Sequence, residues 1–233
     1  MRFDLEPANI LHTRTYRESS LILEALSREH GRVALVAKGA RGRRSRWKNM
    51  LQPFRPLLLS WSQRGEMGTL VGADQVAAPP ALAAEPLFCG LYVNELMMRF
   101  LQRSDPHPGL FERYGELLGA LSSEQSPHTP LRLFENHLLE AAGFGLQLDR
   151  ESGSGEPVVS DGWYQYEPES GPVRRPERPA DGGLLISGQS LLALQSGNIA
   201  PEHQRELKGM MRRLIAYHLG DRPLKSQSLF YES

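Results

Sequence analysis

The sequence predicts an α+β chain, a small five-stranded β-barrel followed by a helical domain, on three observations. Five short apolar runs recur at near-regular spacing within residues 8–76, with turn signals between them. Past residue 81 the apolar positions change to a helical period near 3.6. Charge divides at the same place: residues 1–80 carry 13 Lys or Arg against 7 acids, residues 81–233 carry 14 against 20, and the whole chain sums to zero. The change falls at Ala77-Ala78-Pro79-Pro80-Ala81, a Pro/Ala junction that suits a linker. The expected domains are therefore 1–78 and 81–233.

Each strand has its own warrant. Residues 8–15 place Ile10 and Leu11 ahead of a polar stretch, 19–26 are apolar enough to be buried, and 33–37 are rich in β-branched side chains. Residues 56–62 carry three successive leucines and Trp61, and 68–76 follow a turn at Gln63-Arg64-Gly65. Further turns are marked by Tyr16-Arg17-Glu18 and Glu29-His30-Gly31. Five such strands left open would expose unpaired edges, so closure is expected. The five-stranded barrel most used on single-stranded nucleic acid is the OB-fold.

The helices follow. Residues 82–102 set Leu87, Leu91, Leu96, Met97, Phe100 and Leu101 near one face, with Glu95 and Arg99 four apart. Residues 110–121 and 130–142 repeat the pattern, and Gly143 and Gly145 stop the latter. An irregular insert, about 147–185, is rich in Gly, Pro, Ser and charge around Trp163, Tyr164 and Tyr166, and offers one or two short strands with little core. Helices return at 187–196, with a Ser N-cap, and at 201–219, with Pro in the first turn.

Composition excludes several classes. The single cysteine, Cys89, precludes an internal disulfide or a Cys-based zinc cluster, and in LFCGLYV it reads as buried filling. No apolar run approaches the roughly 18 to 20 residues of a membrane span. Acids and a proline early in the chain predict no secretion signal, and hence a cytoplasmic protein. Lys38-Gly39-Ala40-Arg41-Gly42 lacks the spacing of a P-loop. Asp105-Pro106-His107-Pro108 reads as a turn, and His137 as a half-buried helical histidine. With no nucleophile–base order and no paired carboxylates, the expectation is a protein without catalysis, cofactor or metal.

The chemistry concentrates in residues 28–48, where eight Lys or Arg face one acid, Glu29, a surplus of seven positive charges. So dense a surplus repels itself unless a polyanion offsets it. The expected DNA-binding residues are Arg32, Lys38, Arg41, Arg43, Arg44, Arg46, Trp47 and Lys48. Arginine suits bidentate phosphate contacts, and Trp47 is placed to stack on a base. Five phosphate contacts on a single strand would give a log–log salt slope of about −3.5, at roughly −0.7 each. The competing reading is a solvated basic turn with Trp47 packed inward.

Several motifs then resemble the RecO family of bacterial recombination mediators. They are Glu29-His30-Gly31-Arg32-Val33, Leu35-Val36-Ala37-Lys38-Gly39-Ala40-Arg41, Leu51-Gln52-Pro53-Phe54, and Cys89-Gly90-Leu91-Tyr92-Val93-Asn94-Glu95-Leu96. Leu131-Arg132-Leu133-Phe134-Glu135, Gly143-Phe144-Gly145, Gly153-Ser154-Gly155-Glu156-Pro157 and Arg222-Pro223-Leu224-Lys225-Ser226 extend the likeness over nearly the whole chain. The resemblance implies an N-terminal OB-fold and a helical C-terminal domain. It implies binding to single- and double-stranded DNA and annealing of complementary strands. It also implies partnership with RecR and with the tail of the single-stranded DNA-binding protein, in loading RecA during recombinational repair. Some family members bind zinc through cysteines in the insert; residues 149–154 here have none, so no zinc is expected. An acidic tail with an apolar end needs an apolar pocket and a cation for its carboxylate. Arg132 matches the family motif and is the expected cation, with Arg113 assisting. For either arginine the alternative is a plain surface residue or an intramolecular pair with Glu135 or Glu140. On its own the chain is expected to be monomeric and nucleoid-associated. An RNA-binding OB module in ribosome assembly or translation is the alternative function.

Overall fold

The computed structural model describes residues 1–47, 49–123, 126–176, 185–220 and 222–226. The chain forms two compact units, Met1–Gln125 together with Leu224–Ser233, and Ser126–Pro223.

The first unit holds the barrel. Strands β1 (Arg2–Tyr16), β2 (Ser20–Ser27), β3 (Gly31–Ala37), β4 (Pro56–Gln63) and β5 (Met67–Gln75) close in the order β1-β2-β3-β5-β4. Neighbours are antiparallel except β3 and β5, which run parallel with Leu35 opposite Gly68. This is the predicted five-stranded OB barrel. β1 is longer than its apolar run, because it pairs with β2 along one half and β4 along the other. A bulge at Ile10/His12 lets it turn from one partner to the next. Alternate side chains fill the interior, including Ile10, Leu23, Leu35, Leu57, Leu59 and Trp61, all fully buried.

Two helices belong to the same unit, α1 (Glu85–Phe100) and α2 (Pro108–Leu121). Buried Asn94 of α1 donates from Nδ2 to the Leu11 carbonyl at 2.9 Å and accepts the Tyr114 hydroxyl at Oδ1 at 2.6 Å. This network ties β1, α1 and α2 together with no buried amide atom wasted. The chain past residue 223 also returns here, where Glu95 accepts the Lys225 and Ser226 backbone N–H groups at 3.0 and 2.8 Å. Glu95 and Arg99 form the i,i+4 pair read from the sequence, at 3.4 Å.

The second unit contains α3 (His128–Ala141), β6 (Trp163–Glu167), β7 (Gly171–Arg175), β8 (Leu185–Ser187), α4 (Gly188–Ser196) and α5 (Gln204–Leu219). A 3-10 turn at Pro201–His203 leads into α5. The insert is more regular than its composition predicts. Its strands form a sheet in the order β7-β6-β8, with Tyr164 and Tyr166 buried on one face of β6 and Trp163 half-exposed. Alternation over five residues was too short to stand out among Gly, Pro and charge. The Ser cap is as read: the Ser187 hydroxyl accepts the Ser190 N–H at 3.2 Å. Glu206 in turn accepts from the Ser187 and Ser190 hydroxyls, each at 2.7 Å.

Candidate nucleic-acid interface

The connection from β3 to β4 carries the basic run, and its backbone is built of successive tight turns. Gly42 N–H bonds the Gly39 carbonyl, Ser45 N–H the Gly42 carbonyl, and Met50 N–H the Trp47 carbonyl, each at 3.0 Å. Gly39 has φ +69°, a left-handed value that a side chain disfavours. The connection is also laced to the β1–β2 turn. Arg41 N–H donates to the Ser19 carbonyl at 2.8 Å, and its guanidinium to the Glu18 carbonyl at 3.4 Å. Strand register explains the proximity, since Thr15 lies opposite Leu21 and Leu21 opposite Ala37.

That register brings in a cation the sequence reading left out. Arg17 sits exposed in the β1–β2 turn with its guanidinium 5.1 Å from the Tyr16 ring centre. It was legible only as part of a turn, because strand pairing, not chain proximity, sets it beside the basic connection.

Lys38, Arg41, Arg43, Arg44 and Arg46 are all exposed, and among the described residues none of them forms an ion pair. Arg46 is the most anchored, donating to the Val71 carbonyl at 2.6 Å while its guanidinium lies 4.6 Å from the Trp47 ring centre. A guanidinium satisfied by one carbonyl keeps other donors for an anion. Lys48 lies outside the described residues.

Two expected contacts are corrected. Trp47 is 8% exposed and belongs to the barrel core beside Leu51 and Leu57, so it presents no open ring face for stacking. Burial of so large an apolar side chain outweighs leaving it in solvent. Arg32 is an internal ion-pair residue: its guanidinium lies 3.2 Å from Glu24, which also pairs with Arg103. Burial draws the Arg32 pKa down, while Glu24 pushes it back up. The pair is part of a junction in which Ser104 N–H donates to the Arg32 carbonyl at 3.0 Å.

The expected tail-binding cations do not converge on one element. Arg132 is buried in α3, its guanidinium 2.7 Å from the fully buried Glu135 carboxylate, so its charge is neutralised inside the protein. This corrects its assignment as a free cation for a partner's carboxylate. Arg113 is exposed on α2, in the other compact unit.

A cleft of about 470 Å³ opens at the basic end of the barrel. Leu21, Trp47 and Leu51 line it with apolar surface, and Arg41, Arg43, Asn49 and Gln52 add polar groups. Among the described residues, no helix is long and apolar enough to cross a membrane.

Comparison with known proteins matches residues 1–79 to the family model described as Recombination protein O N terminal and residues 84–228 to Recombination protein O C terminal. A DNA repair protein RecO of Nitrosococcus oceani is 45% identical over 233 residues, covering 100% of this chain and 94% of its own length. A DNA repair protein RecO of Alkalilimnicola ehrlichii is 46% identical over 228 residues, covering 97% and 90%. Another, from Methylococcus capsulatus, is 45% identical over 231 residues, covering 98% and 93%. With both family models and near full-length relatives in agreement, the chain belongs to the RecO family of DNA repair and recombination proteins.

Proposed function

We propose that the chain binds DNA through the basic end of its barrel and acts there as a non-catalytic mediator that anneals complementary strands. The observation that carries this reading is the row of five exposed cations, Lys38, Arg41, Arg43, Arg44 and Arg46, on one connection with no carboxylate paired to them among the described residues. Phosphates supply the missing counter-charge, and neutralising two backbones at once lets complementary bases meet. Base pairing then provides the free energy, so no nucleotide hydrolysis is required.

Family membership supports the wider setting: work with RecR, contact with the tail of the single-stranded DNA-binding protein, and loading of RecA in the cytoplasm. Of the two arginines expected to hold a tail carboxylate, Arg113 is the exposed one and takes that role. The test is annealing of complementary DNA strands coated with single-stranded DNA-binding protein, compared with binding to structured RNA. Faster annealing than the spontaneous rate supports the reading. Preference for structured RNA without annealing contradicts it.

A further inference from the structure

We propose that the cleft at the basic end of the barrel is a slot for one unstacked base of single-stranded DNA. This rests on the reading of that end as the DNA interface, and adds to it a choice between single and double strands.

Size and lining favour such a guest. The cleft, about 470 Å³, falls within the range of small-ligand sites, roughly 300 to 1,000 Å³. Its apolar part, Leu21, Trp47 and Leu51, offers the low-polarity surface a base prefers to water. Trp47 thus serves from within the core, as part of the lining, without an exposed ring face. Ala40 and Gly42 bring little or no side chain to the wall, leaving the space open.

The polar groups are of the types that hold a nucleotide. Side-chain amides of Asn and Gln match the donor–acceptor edge of a base, above all adenine. Asn49 is exposed and held at φ 62°, a left-handed backbone that Asn tolerates better than most residues. Gln52 accepts from Arg55 at 3.4 Å through its carbonyl oxygen, and its amide N–H₂ has no partner among the described residues. Arg41 and Arg43 supply guanidinium groups for the phosphates on either side of the captured base.

Paired bases inside a duplex cannot enter a cleft of this kind without leaving the stack. A base in a single strand has no pairing to give up, so it leaves its neighbours at lower cost. A base held in the slot is withdrawn from pairing, and pairing with a complementary strand competes it out. Binding therefore marks unpaired DNA and yields to annealing.

The test measures affinity of the full chain for a 20-nucleotide single strand and for a tetrahydrofuran strand of equal length, which keeps the phosphates and lacks bases. The wild type is expected to prefer the base-bearing strand by roughly tenfold, in the range that base capture allows. The variant Asn49→Gly with Gln52→Ala removes both amides, and glycine relieves the left-handed backbone so that folding is preserved. In it the preference is expected to shrink to about threefold or less. Equal affinity of the wild type for both strands overturns the slot, as does a preference unchanged in the variant. Equal but salt-dependent binding of both strands leaves the interface intact; loss of salt-dependent binding to either strand rejects the interface itself.

Discussion

Gly90 of α1 lies directly against the ring of Phe54, at the end of the basic connection. A Cβ built on Gly90 would stand 2.9 Å from Phe54 Cε1, 3.0 Å from Cζ and 3.3 Å from Leu82 Cδ1. Phe54 itself is 8% exposed and held at φ 66°, so its ring has little room to withdraw. Two sequence motifs far apart in the chain thus meet, and the contact anchors the far end of the connection to a helix.

Substituting this glycine tests that anchor. Gly90→Ala overpacks the contact and is expected to cost about 1–3 kcal/mol, read as a fall of several degrees in Tm. Gly31→Ala should cost more, since the new Cβ would lie 2.0 Å from the Asp105 carbonyl oxygen, at a backbone φ of +64°. Equal thermal stability of wild type and both variants would refute the packing described.

Arg32 and Arg43 should part company. Arg32→Ala leaves Glu24 with Arg103 alone, and thermal melting should show a clear loss of stability, about 1–3 kcal/mol. Arg43→Ala removes an exposed, unpaired cation, so Tm should hold while the salt slope of DNA binding becomes shallower by about 0.7. A steeper loss of DNA binding from Arg32→Ala at temperatures where it stays folded contradicts the assignment.

The buried pair in α3 makes a sharper stability prediction. Arg132→Ala removes the guanidinium that lies 2.7 Å from the fully buried Glu135 carboxylate, a loss of about 3–5 kcal/mol. Arg132→Met combined with Glu135→Leu should recover much of it, because neither charge then needs a partner. Chemical denaturation measures both. If the single variant is as stable as the wild type, the pair is not the buried one described.

Glu95 links stability to pH. Burial pushes its carboxyl up, but hydrogen bonds from Ser226 and Lys225 and the Arg99 charge outweigh that and hold its pKa below the ordinary value. A depressed folded pKa contributes stability above the unfolded value, about 4.3, and loses it as pH falls toward the folded value. Glu95→Gln should therefore be less stable than wild type near neutral pH, with the gap narrowing below about pH 4. A gap that widens in acid would contradict the hydrogen-bonding scheme.

Much of the architecture was legible because it follows local rules. Strand runs such as 33–37, the Ser187 cap and the Glu95–Arg99 spacing depend on neighbours in sequence, and the structure reproduces them. The basic connection was legible as charge. What its members touch was not, since Arg32 meets Glu24 across the β2–β3 pair and Arg103 through a bridge to a distant segment. Trp47 was misread for the same reason: sequence shows a tryptophan between cations, and only barrel closure shows that it turns inward. The insert reads as one or two short strands; its third, Leu185–Ser187, is only three residues long and gives no alternation to read, so the sheet they form was not legible.

The most direct test of the central claim compares the wild type with Arg41→Ala/Arg43→Ala/Arg44→Ala in single-stranded DNA affinity across salt concentrations, with annealing rates measured in parallel. Five single-strand phosphate contacts give a wild-type slope of about −3.5, and loss of three brings it to about −1.4. Annealing should fall toward the spontaneous rate while Tm is kept. Wild-type slope and annealing in that variant would contradict the basic end of the barrel as the DNA interface.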